Sequence, residues 1–344
     1  MELKSRRHTV QDLGGAIDLC YTNGWTDGLP VVPPTADRVT AMLDAAKIDP
    51  AHQLAFIENR QISVTAEKVA INAVMAGCKA EYMPVVMAAV EAIADPKYGY
   101  HGPATSTGGS AVFMVVNGPI AKELDINSGD NLFGPGWRAN ATIGRAIRLV
   151  MRNVIGTLPG ELDRSSLGHG GKYSFCIAEN EVDSPWPALH TSRGFRADQN
   201  AVTVFAAFAP HQISNGLSST PEGVLTTMCA NMRMSAGTNR RPQYALVFPG
   251  EHQLVMKKAG WSREDVQNFC FENAKCSMAE IKRANIAPGP ITPEDETTKI
   301  SVVETPQDFI VVAAGGIAGV QSAFIPGWGG KNGSQSVTKE IRKP

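Results

Sequence analysis

Three apolar segments that run straight into Gly/Pro turns constrain this chain most: Phe113-Met-Val-Val-Asn-Gly-Pro119, Tyr244-Ala-Leu-Val-Phe-Pro-Gly250 and Phe309-Ile-Val-Val-Ala-Ala-Gly-Gly316. Short runs of β-branched and aromatic residues ended by turn formers are strands. Ala111–Val116, Tyr173–Ala178, Val202–Phe208, Tyr244–Phe248 and Phe309–Ala313 all have this character, and from Ser110 onward they alternate with helical patterns. The chain therefore reads as α/β, with a mixed sheet or sheets and flanking helices. A repeated strand–turn–helix unit produces such an echo, and so does any α/β sheet. In either case a ligand is expected outside the carboxyl ends of the strands, where the Gly/Pro turns lie.

The N-terminal part has a different texture. Residues 1–105 read mainly as helices, forming a helical region packed on an α/β core of residues 106–344. Segments near Gln11–Asn23, Ala36–Ala46 after Thr35, Ala66–Ala76 after Thr65, and Ala80–Ala94 have helical patterns, with Gly77 as a stop. Further on, Ala141–Ile155 places Ile143, Ile147, Val150, Met151 and Val154 on one helical face. Thr220-Pro221 and Ser262–Asp265 are helix starts. A length of 344 residues fits one large domain or two intimately packed ones.

Charge narrows the partners. With 32 basic and 33 acidic residues the net charge is −1, which argues against a nucleic-acid or anionic-membrane binder. No apolar stretch follows the basic start, and no apolar run approaches the roughly 20 residues needed to span a bilayer. A soluble, cytoplasmic protein is expected. The six cysteines show no CxxC pair and read as reduced thiols.

Three segments carry candidate chemistry. In Asn131–Arg145 a Gly-Pro-Gly loop enters a helix, so free N–H groups and the positive helix end combine with Arg138, Asn140, Thr142 and Arg145 as a seat for a carboxylate or phosphate. Asn140 as a plain cap and the arginines as a solvated face are the bland alternative. Arg148 and Arg152 are expected to solvate the helix surface. In Gly168–Glu181 the Gly-Gly-Lys core is no P-loop, because Ser166 and Tyr173 stand where Gly and Ser/Thr are required. Its far end delivers Glu179 and Glu181 to one face of a strand end, as an acid/base pair, a cation site, or two surface acids. Cys78 lies near a helix start beside Lys79, features that favour thiolate, with His101, His169, His190 and His211 as candidate bases. A packed cysteine in a helix–helix joint is the alternative, and Cys176, within an apolar strand, is expected to be inert. No histidine pair has i,i+4 spacing, so no HExxH site exists; a set of His190, Glu179 and Glu181 from distant loops stays open, although no metal is assigned. The stiff double-proline loop Asp27–Pro34 reads as a pocket wall or clamp, and the glycine-rich Gly327–Ser334 as a loop that closes over a ligand or contacts a partner subunit, with a plain connector as the alternative for each.

Several stretches together resemble a bacterial family of UGSC-type (seleno)proteins: Gly24–Pro34, Ala76–Val86, Asn140–Arg145, Gly171–Glu181 and Ile325–Trp328. The similarity covers most of the chain. The family's Sec/Cys-Gly-Ser-Cys motif does not occur here, so the resemblance implies thiol-linked enzymology whose thiol or selenol step is either lost or supplied by a separate subunit. No G-x-G-x-x-G follows a strand in a βαβ setting, and no cofactor is assigned. The leading expectation is an enzyme or catalytic subunit of lyase or hydrolase type. It would act on a small anionic metabolite held by Arg138, Asn140, Thr142 and Arg145, with Cys78, Glu179, Glu181 and His190 as catalytic candidates. The alternative is a non-catalytic partner or scaffold subunit. A homo-oligomer and a hetero-complex both remain open.

Overall fold

The computed structural model describes residues 2–233, 241–330 and 333–343. Four helices, α1 (Leu13–Thr22), α2 (Ala36–Ala45), α3 (Ala66–Ala76) and α4 (Met83–Ile93), dominate its first hundred residues, with a hairpin of β1 (Gln53–Ile57) and β2 (Ile62–Thr65) between them. Helical periodicity around it hides this hairpin in the sequence. Its turn uses Gln61 in the left-handed region at φ 53°. After α5 (His101–Thr105) come β3 (Ala111–Asn117), α6 (Pro119–Glu123), α7 (Arg138–Asn153), β4 (Cys176–Ala178), β5 (Ala201–Ala207), β6 (His211–Ser214) and α8 (Pro221–Met232). The chain then forms β7 (Tyr244–Phe248), α9 (Gly250–Ala259), α10 (Arg263–Asn273), β8 (Lys275–Ser277), α11 (Met278–Arg283), α12 (Pro293–Thr297), β9 (Lys299–Ser301), β10 (Phe309–Ala313), β11 (Gln321–Pro326) and β12 (Val337–Glu340). The fold is mixed α/β, and among the described residues no helix is long and apolar enough to cross a membrane.

Two four-stranded sheets face each other, ordered β12-β5-β3-β4 and β10-β7-β11-β6. Phe113, Val115 and Phe205 of the first, with Phe175 just before β4, pack against Ala245, Val247, Val312 and Ile325 of the second in an apolar central layer. Alternation along each strand turns the intervening residues outward. Met114, Val116 and Val204 meet the N-terminal helices and α7, whereas Tyr244, Leu246 and Phe248 meet α8, α9 and α10. A helix–sheet–sheet–helix sandwich results.

The two sheets are topological copies. In each, one pair is parallel (β3 with β4, β7 with β10), and the next two strands are antiparallel. Each outermost antiparallel strand is exchanged: β6 follows β5 but joins the second sheet, and β12 follows β11 but joins the first. The exchange points bond reciprocally, Phe208 N to Pro326 O and Trp328 N to Ala206 O, both at 2.8 Å. The repeat legible in the segments at 113 and 244 is thus real, with the segment at 309 matching β4 instead. β4 is shorter than expected: a 3₁₀ turn over Gly170–Lys172, in which His169 Nδ1 accepts from Gly171 N, leaves Tyr173 helical at φ −79°, ψ −50°, and ladder pairing with β3 begins only at Cys176.

Candidate functional site

Seven of the eight candidate residues fall into two clusters along β4, and His190 joins the second through its neighbour. Around the start of α7 the polar groups are engaged in holding the fold. Asn140 Oδ1 accepts from Asn127 N at 2.8 Å, and its Nδ2 donates to Asn127 O and Cys176 O. Arg145 forms a two-pronged pair with Asp27, at 2.8 and 2.7 Å, inside the double-proline loop. Burial works to raise Asp27, but the Arg145 hydrogen bonds and charge hold its carboxyl below the usual range. Thr142 Oγ1 donates to Arg138 O, and Arg138 Nε to Gly77 O. Only Arg138 of this set is exposed.

Cys78 belongs to the same cluster. Its Sγ donates to Thr142 O at 3.3 Å. Of the two readings of Cys78, its surroundings favour the packed cysteine: burial pushes the thiol up to about 12, outweighing Arg138 and Arg145 nearby. Cys176 is likewise driven to about 12 by burial. Arg148, expected at the surface, instead reaches Asp163 Oδ2 at 2.6 Å with a side chain 14% exposed. Lys172 Nζ joins them at 2.7 Å from the same oxygen and 2.6 Å from Ser165 Oγ, forming a half-hidden ion network no motif announced. Arg152 donates to Gly24 O. Of the Gly327–Ser334 loop, Lys331 and Asn332 lie outside the described residues.

The second cluster lies at the carboxyl ends of β3 and β4. Val116 O accepts from Glu179 N, which turns the Glu179 side chain inward to full burial. Its Oε2 accepts from Asn117 Nδ2 at 2.6 Å and Leu189 N at 2.5 Å, and its Oε1 from Arg263 Nη2 at 3.2 Å. Glu181 Oε1 takes a bond from the same Asn117 amide at 2.9 Å and from Gly118 N at 2.7 Å. One amide nitrogen therefore bridges two carboxyl groups. Burial raises Glu179 above the ordinary carboxylate range, against the lowering pull of Arg263, Leu189 N–H and Asn117. His190 follows Leu189 in the 3₁₀ turn Leu189–Arg193, and its Nε2 lies 3.0 Å from Arg196 O.

Three buried polar atoms of this cluster have no hydrogen-bond partner among the described residues: Asn117 Oδ1, Arg263 Nε and His190 Nδ1. Leaving such an atom unpaired typically costs about 1–3 kcal/mol, so their concentration in one place is notable. Among the described residues no group of three or more His, Cys, Asp or Glu is arranged to hold a metal ion, so His190, Glu179 and Glu181 do not assemble into a ligand set. Asn117 and Arg263 escaped the sequence reading. Asn117 ends one of the echoed strands, a legible signal, whereas Arg263 is 84 residues from its partner and follows a helix cap like any surface arginine. No protein-family model matches this chain, and no curated protein matches it.

Proposed function

We propose that this protein is an enzyme, or the catalytic subunit of one, of lyase or hydrolase type, acting on a small anionic metabolite by carboxylate acid–base chemistry. One observation carries the reading: a fully buried Glu179 shares an Asn117 amide with Glu181, amid polar atoms left without partners. Burial shifts Glu179 toward the protonated form, which suits a proton donor, and half-buried Glu181 is the partner that takes a proton. The site lies where parallel strands end, the place an open α/β sheet offers a ligand. Thiol chemistry by Cys78 is disfavoured by its burial, which fits the resemblance to UGSC-type proteins if the thiol or selenol step is lost here or comes from a separate subunit. A thermal-shift screen of small carboxylates identifies a candidate substrate, and turnover is then compared for Glu179→Gln, Glu181→Gln and Cys78→Ser. Loss with either glutamate and retention with Cys78→Ser supports the reading. Full turnover by both glutamine variants, folded by circular dichroism, sinks it.

A further inference from the structure

A serine sits inside the Asp163 ion network, beside the residues that lead into β3 and so roughly 20 Å along that strand from Glu179. Ser165 Oγ donates to Asp163 Oδ1 at 2.5 Å and accepts from Lys172 Nζ at 2.6 Å, while Lys172 Nζ also reaches both Asp163 oxygens, at 2.9 and 2.7 Å. Hydroxyl, amine and orienting carboxylate are thus joined by direct contacts. Asp163 holds Arg148 as well, so one carboxylate serves two cations, and among the described residues no second acid pairs with either. Arginine keeps its proton in proteins, so Arg148 and Asp163 already balance, and Lys172 is the member that can become neutral. Burial lowers Lys172 below the usual lysine value against the hydrogen bonds to Asp163, and the Arg148 charge adds to the lowering. The histidine nearest in sequence is engaged elsewhere: His169 Nδ1 accepts from Gly171 N, and its Nε2 lies 3.3 Å from Ala207 O. Ser165 is half-buried, and its loop is fixed from outside the ion network. Ser166 N donates to Thr107 O, and only glycine at 109 lets the loop come so close, since a Cβ there would lie 2.9 Å from Gly168 N and 3.2 Å from Ser165 Cβ. Next to it Tyr98, Tyr100, Ala111, Arg148 and Lys172 line a cavity of about 10 Å³, room for one water-sized group.

We infer that Ser165, Lys172 and Asp163 form a serine-based acyl-transfer site for an ester or amide of a small acyl group, with Ser165 as nucleophile, Lys172 as its base and Asp163 positioning the amine. Neutral Lys172 Nζ takes the Ser165 proton as Oγ bonds to the carbonyl carbon. The ammonium so formed lies beside the oxyanion that develops. The carbonyl then re-forms, the bond to the leaving group breaks, and Lys172 returns the proton to that group. Water, deprotonated by the same amine, cleaves the acyl–serine ester, releases the acid and restores Ser165. The smallness of the acyl group follows from the cavity beside Lys172. This site shares no residue with Glu179 and Glu181 and goes beyond the chemistry proposed for them.

Methanesulfonyl fluoride, a compact reagent whose fluoride an activated serine displaces, tests the site on the full chain without a known substrate. Mass spectrometry of the intact chain and its peptides is expected to show a single adduct, on Ser165 and not on the neighbouring Ser166. The adduct should be absent from Ser165→Ala and unchanged in Ser166→Ala. Lys172→Met is expected to slow labelling about a hundredfold or more, the usual worth of a positioned base. Because that change also strips Asp163 of a partner, Lys172→Arg is the second variant. It keeps a charge against Asp163 but cannot accept a proton, so it should label as slowly as Lys172→Met. A purely structural Lys172 predicts the opposite, with wild-type labelling in Lys172→Arg. No adduct on Ser165 in wild type, equal labelling of Ser166, or wild-type labelling by either folded Lys172 variant overturns the inference.

Discussion

The two halves of the sandwich share a topology and differ at one end. Superposing the ladders aligns Val116 with Phe248 and Ala178 with Ala313, because Glu179 N bonds Val116 O as Ala314 N bonds Phe248 O. Asn117 thus corresponds to Pro249, Glu179 to Ala314 and Glu181 to Gly316. The last pair even answers the same backbone group: Gly118 N donates to the Glu181 carboxylate, and Gly250 N to the Gly316 carbonyl. Two glycines, Gly118 and Gly250, are common to both halves. A Cβ at Gly118 would fall on Gln199 O, and one at Gly250 would lie 2.8 Å from Ile317 Cα. The shared glycines are what the fold requires. The second half closes the same turn without a carboxylate or an amide, so Asn117, Glu179 and Glu181 answer some requirement other than the turn.

That contrast can be broken most severely by activity. Glu179→Gln is expected to lower turnover by roughly 10²–10⁴, the usual worth of a positioned acid or base, while its counterpart Ala314→Ser leaves turnover within about twofold. Equal losses at both positions, measured on the substrate from the carboxylate screen, would make the end of β4 structural. Cys78 gives the next largest effect. A shift from 9.0 to about 12 leaves roughly a thousandth of the usual thiolate, so native Cys78 should alkylate with iodoacetamide about a thousandfold more slowly than a free thiol at pH 8. Mass spectrometry of the modified peptide reads this directly, and rapid labelling would return Cys78 to the list of nucleophiles. Stability separates shared from unshared positions more gently. Gly118→Ala, at φ +90° and against backbone, should cost about 3 kcal/mol in urea unfolding, Gly250→Ala about 2, and Glu181→Ala about 1. A Glu181→Ala loss as large as that of Gly118→Ala would mean the carboxylate is part of the frame.

Much of the frame was legible, because strands and helices announce themselves locally. Tyr244–Phe248, Phe309–Ala313 and Ala66–Ala76 appear where their patterns place them. The exchanged strands β6 and β12 are different: His211–Ser214 and Val337–Glu340 are polar, peripheral and partly exposed, and their pairing partners lie in the other copy of the repeat. Glu179 and Glu181 were readable as a pair from their spacing, since neighbours on a strand end share a face. What set their character was not local. Burial of Glu179 depends on the turn at Leu189 and on α10, brought in by a chain reversal no short motif encodes. The same blindness made Arg145 look free, when its partner Asp27 is 118 residues away.

The smallest effect is also the cleanest test of how Glu179 is held. Burial raises its folded pKa above the unfolded value of about 4.5, despite Arg263. A raised carboxyl contributes stability that is complete below the unfolded pKa and is lost as pH rises through the folded one. Glu179→Gln cannot ionise, so wild-type stability minus variant stability should decline above pH 4.5 and then level off, with a slope no steeper than about 1.4 kcal/mol per pH unit. Asp27, which Arg145 holds low, works in the opposite sense as pH falls, but it is present in both proteins and cancels in the difference. Urea titrations at half-unit steps from pH 4 to 8 give the curve. A difference that grows with pH instead would show Arg263 overcoming burial and keeping Glu179 ionised. Glu179 would then be half of an ion pair, and the difference between the two halves would come down to one buried salt bridge.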